Sequence, residues 1–136
     1  MQGLSGSDKE EREKLMAENS ESSKYGDQMT HRKLVRDRIP EIIEANDQKH
    51  ETRILEKDEH LELLKKKLLE ESQEVVEATN RDETIKELAD VSEVVRSIAE
   101  SEGIGMDEIN EVMEDRAEKR GRFKDGIFLE RTWTEK

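Results

Sequence analysis

The sequence predicts an all-α protein, an antiparallel helical bundle of two long helices plus a third. Three observations carry that expectation. Apolar residues recur at spacings of three, four and seven over long stretches, the period of one helix face. Aromatic residues and strand-favouring runs are both scarce. Capping residues and glycines fall at intervals that suit helices joined by short loops.

Residues 1–31 mix Gly, Ser and acidic side chains with little apolar periodicity, the composition of a disordered or weakly helical acidic tail. Ser7 and Glu10 have the capping-box spacing, but only Leu15 and Met16 would be there to bury. The folded domain is therefore expected over residues 32–136. Its first element is a short helix, "PEIIEAN", with Pro40 in the first turn, where a missing N–H costs nothing. "ETRIL" reads as a brief extended segment. A long helix follows over residues 59–78 with Asp58 as its cap, then "TNRDE" as a turn and Asp82 as the cap of a helix reaching about residue 102. Gly103 and Gly105 end it, and Asp107 is expected to cap "EINEVMEDRAEKR", closed by Gly121. The end of the chain, "RFKDGIFLERTW", carries a turn signal at Asp125-Gly126, so a short extended or hairpin segment lying over the bundle is expected, with its aromatics in the core.

A net charge of −12 argues against binding nucleic-acid polymers or anionic membrane surfaces. No stretch approaches the roughly 20 apolar residues of a membrane span. The chain has no Cys, which excludes disulfides and thiolate metal sites and leads to an expected cytoplasmic location.

The chemistry concentrates in "LLKKKLLEESQEVVEA". Leu61, Leu64, Leu68, Val75 and Ala78 draw one apolar stripe, and Glu71 lands on it where a leucine would be expected. Glu74 is its neighbour one turn on. In "TIKELADVSEVVRSIA" the stripe is Leu88, Val91, Val95 and Ile98, and Glu87 prolongs the adjoining Val91, Val94, Ile98 line at the edge of the buried face, with Asp90 three residues later. If the helices run antiparallel, each acidic pair lies about two turns from the loop, at similar height. Four carboxylates converging on a partly dehydrated seam repel one another, and a divalent cation removes the conflict. An all-oxygen donor set of this number suits Mg²⁺ or Mn²⁺. Two roles fit Glu70: orienting or deprotonating a metal-bound water, or an ordinary solvated position. His31, His50 and His60 share no metal-like spacing and are expected at the surface.

The strings "EESQE" and "ELAD" resemble the EExxE and ExxD motifs of the all-α nucleoside-triphosphate pyrophosphatases, the MazG-like superfamily. The opening "KLVRDRIPEII" and the closing "EKRGRFKDGIFLE" resemble one branch of it, the phosphoribosyl-ATP pyrophosphohydrolase-like enzymes expected to clean the pool of non-standard nucleotides. The resemblance spans about residues 32–133. It implies Mg²⁺-dependent hydrolysis of a nucleoside triphosphate to the monophosphate and pyrophosphate, with Glu71, Glu74, Glu87 and Asp90 as metal ligands and Glu70 either supporting those ligands from behind or activating the water. Cations for the outer phosphates would come from two basic clusters, through Lys33 and Arg36 or through Lys119 and Arg122. Each has an ordinary alternative, pairing with a local acid or capping a helix dipole. The family commonly pairs its subunits, and the apolar faces look too large for one copy to cover, so a homodimer or larger homo-oligomer is expected. The competing class is a non-enzymatic acidic helical module whose seam carboxylates pair with a partner's lysines.

Overall fold

The computed structural model describes residues 28–136 and, before them, the backbone of a two-residue antiparallel pairing of Ser22–Ser23 with Gly26–Asp27. The expectation for the acidic tail lies largely outside these residues. Among the described residues every other regular element is a helix: α1 (Ile39–Ala45), α2 (Lys57–Glu77), α3 (Arg81–Ser101) and α4 (Met106–Arg120). The chain is all-α, as its periodicities predict.

The centre of the fold is the pairing of α2 with α3. Each has 21 residues, and only residues 78–80 join them, so packing along their lengths makes them antiparallel. Leu64 is buried on α2, with Leu61, Leu68, Val75 and Ala78 half-buried along the same stripe. On α3 the buried line differs from the one expected. Glu87, Asp90 and Val94 are buried, with Val91 and Ile98 half-buried beside them, whereas Leu88 is half exposed. The helix is thus rolled so that Glu87 stands at the middle of the seam rather than its edge. Ile39 of α1 and Ala99 of α3 complete a small apolar core. Burying Ile39, Leu64 and Val94 contributes on the order of 1.5–3 kcal/mol each.

Three caps differ from the residues expected. Helix α2 begins directly after Leu55, with Glu56 at the cap position but no side-chain cap, and Asp58 and Glu59 instead lie in its first turn, where negative charge favours the helix dipole. Glu59 is held there by a two-pronged ion pair with Arg53, 2.9 and 2.8 Å. Asn80, not Asp82, caps α3: its Oδ1 accepts the Glu83 N–H at 2.9 Å. Asn and Asp cap about equally well, so two candidates within three residues leave the choice to the chain's path. Gly105 occupies the cap position of α4, where Glu108 Oε2 accepts its N–H at 2.9 Å, and Asp107 sits in the first turn.

The end of α3 follows the expected glycine logic. The Ile104 N–H reaches the Ala99 carbonyl at 2.8 Å and the Gly103 N–H reaches Glu100 at 3.1 Å, the paired bonds of a Schellman stop. That stop needs Gly103 at φ +70°, where a Cβ would be strained.

The N-terminus of α3 yields a pH prediction. The Thr79 backbone N–H (3.0 Å) and hydroxyl (3.2 Å) both donate to Glu83 Oε2, and they hold the Glu83 carboxyl below its ordinary range, the backbone bond contributing most. A lowered folded-state value stabilises the fold above the ordinary carboxylate range, and that contribution fades as pH falls through the lowered value. Glu83→Gln should therefore lower the melting temperature modestly at neutral pH, with the gap from the parent closing in acid. Thermal melts across a pH series check it; a gap that widens in acid would contradict the assignment.

The C-terminal segment departs furthest from expectation. Gly121 ends α4 at φ +80°, a turn forms at residues 124–125, and no strand follows. Phe123, Phe128 and Trp133, expected in the core, are exposed. Residues 51–56 likewise form no strand.

Candidate metal centre

Glu71 comes from the middle of α2, and Glu87 and Asp90 from consecutive turns of α3, all on faces that the helix pairing buries. Each retains only a few per cent of its exposure: 6% for Glu71, 4% for Glu87 and 3% for Asp90. Carboxylate oxygens of the three lie within 4.8 Å of one another. Bringing three acids out of water and together is unfavourable unless a proton or a cation compensates.

Two of the described cations border the triad. Arg36, in the segment before α1, donates from Nη2 to Asp90 Oδ1 at 2.9 Å across 54 positions of sequence. Lys67, one turn before Glu71 on α2, holds its Nζ 3.8 Å from Glu71 Oε1 and 3.8 Å from Glu70 Oε2. Its side chain is only 19% exposed, unusual for a lysine and consistent with a counter-charge to the buried acids. Even so, Glu87 Oε2 and Asp90 Oδ2 are buried oxygens that accept no hydrogen bond.

The remaining residues singled out in the sequence divide by place. Glu74 is exposed and stands outside the triad. Glu70 is half exposed at its rim beside Lys67. Arg36 belongs to the site through Asp90, while Lys33 is an exposed residue of the same segment. Lys119 pairs with Asp115 at 3.1 Å, and Arg122 pairs with Glu114 at 2.9 and 3.0 Å, both on or just beyond α4. Those two take the local-pair alternative within this copy. His60 is exposed, and His31 and His50 are half-buried rather than at the surface. His50 Nε2 lies 3.1 Å from Glu44 Oε1, and no histidine joins the acidic group among the described residues.

Lys67 is the residue that sequence reasoning passed over. Its signal was present as a lysine four positions before Glu71, on the same face, but "LKKKLL" offers three lysines and only packing distinguishes the buried one.

The donor set is chemically uniform: three carboxylates, with no imidazole or thiolate. Such a set fits a hard divalent cation, which would satisfy the oxygens that no hydrogen bond reaches. No helix among the described residues is long and apolar enough to cross a membrane. No family model, curated protein or solved structure matches the chain.

Proposed function

We propose that the protein is a Mg²⁺- or Mn²⁺-dependent nucleoside triphosphate pyrophosphohydrolase, releasing the monophosphate and pyrophosphate, with non-standard nucleotides as its substrate class. The observation that carries the reading is the buried triad itself. Two α3 carboxylates and one α2 carboxylate, with oxygens within 4.8 Å, occupy positions where packing alone would favour leucine. The resemblance of "EESQE" and "ELAD" to the MazG-like motifs supplies the reaction class.

In this reading Glu71, Glu87 and Asp90 hold the cation, and Glu74 joins them from the solvent side. A divalent cation there supplies charge neutralisation on the phosphates and on the departing pyrophosphate. Arg36 fixes the rotamer of Asp90 by the 2.9 Å hydrogen bond and offers its remaining N–H groups toward a phosphate. Glu70, at the solvent edge of the triad, takes the proton of the attacking water, and Lys67, with its Nζ 3.8 Å from Glu70 Oε2, holds the carboxylate in place. Lys33, three positions before Arg36 in sequence, is the second phosphate contact from that segment. No covalent intermediate is required.

Pyrophosphate release from a panel of standard and modified nucleoside triphosphates, with Mg²⁺, Mn²⁺ or chelator, tests this directly. Cation-dependent release from at least one member is the expected result. Well-folded protein that turns over none of them would end the enzyme reading and leave the acidic interaction module in its place.

A further inference from the structure

Residues 121–136 expose Phe123, Ile127, Phe128, Leu129 and Trp133 in one short segment without helix or strand. Its hydrogen bonds among the described residues are local: Arg122 to Glu114, the Gly126 N–H to the Phe123 carbonyl at 3.4 Å, and Trp133 Nε1 to Glu135 at 3.0 Å. A second apolar surface lies on the long helices, where Leu69 and Val76 are two turns apart on one face of α2, and Ile85 and Leu88 lie one turn apart on α3. Isolated apolar side chains on a surface are ordinary, but concentrations of this kind mark interfaces.

We propose that this C-terminal segment is an arm that seats on the α2–α3 pair of a second copy of the chain, with the exchange made in both directions about a twofold axis. Area and charge both select that occupant. Three aromatics at roughly 150–250 Å² each, together with Ile127 and Leu129, approach the ~800 Å² that each partner contributes to a standard interface. Over residues 121–136 the arm has four basic residues against three acidic ones, a net +1, so the rest of a chain of net −12 carries −13. An aromatic arm of slightly positive charge therefore meets an acidic helical body that bears apolar gaps, and one sequence supplies both halves of the match. A twofold arrangement satisfies both copies at once and closes the assembly at two. The arm is also what a core whose buried apolar side chains, among the described residues, are Ile39, Leu64, Val94 and Ala99 lacks, a source of apolar cover for its outer helix faces. This inference stands independently of the catalytic reading.

Sedimentation velocity on the full chain gives the first test. The parent is expected at twice 15.9 kDa, and Ile127→Asp with Phe128→Asp should sediment as a monomer with unchanged helical circular dichroism, since neither residue packs on its own copy. Val76→Asp, on the receiving face, should weaken association on the order of 30-fold, as loss of a central interface contact does. A second measurement locates the arm. Thr132→Cys, in a chain with no other cysteine, carries a photo-crosslinker in a mixture of heavy- and natural-isotope copies. Crosslinks between copies, from the arm to α2 or α3, are expected. A monomeric parent, a dimer untouched by the arm substitutions, or crosslinks confined to a single copy would overturn the proposal.

Discussion

Glu87→Gln is expected to make the cation-free protein more stable and to abolish the stabilisation that Mg²⁺ or Mn²⁺ gives the parent. Glu87 is 4% exposed, with carboxylate oxygens of Glu71 and Asp90 within 4.8 Å of its own. Two unit charges at that distance repel by about 3 kcal/mol at the effective dielectric that suits protein sites. Lys67 and Arg36 offset part of this, so the neutral isostere should gain about 1–2 kcal/mol in chelator. A cation at one hundred times its dissociation constant stabilises the parent by about 2.7 kcal/mol, a shift of roughly 10 °C for a domain of this size. The variant should lose most of that shift and, with it, pyrophosphate release. Melting curves in chelator and in Mg²⁺ separate the two effects. An unchanged cation shift would remove Glu87 from the ligand set, and a loss of stability in chelator would show that a hydrogen bond, not repulsion, governs the buried carboxylate.

Arg36→Ala should do the reverse: destabilise the cation-free protein and be rescued by the cation. Asp90 is 3% exposed and accepts from Arg36 at 2.9 Å. Breaking a buried ion pair costs about 3–5 kcal/mol because the survivor stays charged and desolvated. The Arg36 side chain is 39% exposed, so water screens part of the interaction and about 1–2 kcal/mol is the expected loss. Bound Mg²⁺ would take over the compensation of Asp90, and the deficit should shrink. Arg36→Lys restores charge without the planar fork and should recover stability only in part. Urea titrations with and without Mg²⁺ read both predictions. An equal deficit in the two conditions would mean that Arg36 acts as a tether for the N-terminal segment and not as a counter-charge to the triad. Raised KM for the nucleotide with little change in kcat would mark Arg36 as a phosphate contact as well.

The two long helices and the place of Glu71 were legible because both are matters of rotation about one axis. A residue's angle on a helix follows from its number, so Leu61, Leu64, Leu68 and Val75 define a face and Glu71 falls inside it. The same arithmetic put Glu87 and Asp90 on neighbouring turns. It could not say how far α3 is rolled against α2, and the roll decided that Glu87, rather than Leu88, points into the seam. It also treated Glu74 and Asp90 alike, each about 60° from its partner. The fold parts them: Asp90 is buried with Arg36 bound to it, whereas Glu74 stays exposed.

The aromatics show the limit from the other side. Phe123, Phe128 and Trp133 are apolar, and apolar residues in a sparse sequence invite a place in the core. Hydrophobicity states only that such side chains leave water, not which surface receives them.

By itself, then, the sequence determined what is local: helices from their period, the stop at Gly103 from its free φ, an acidic face on each long helix from residue spacing. Tertiary structure alone decided what joins distant positions: which acids meet, that Arg36 reaches Asp90 across 54 residues, and that one lysine of three is drawn down beside Glu71. The physical reason is that backbone hydrogen bonds and side-chain rotation close within a few residues, whereas burial and Coulomb interaction depend on which surfaces the packed helices finally bring together.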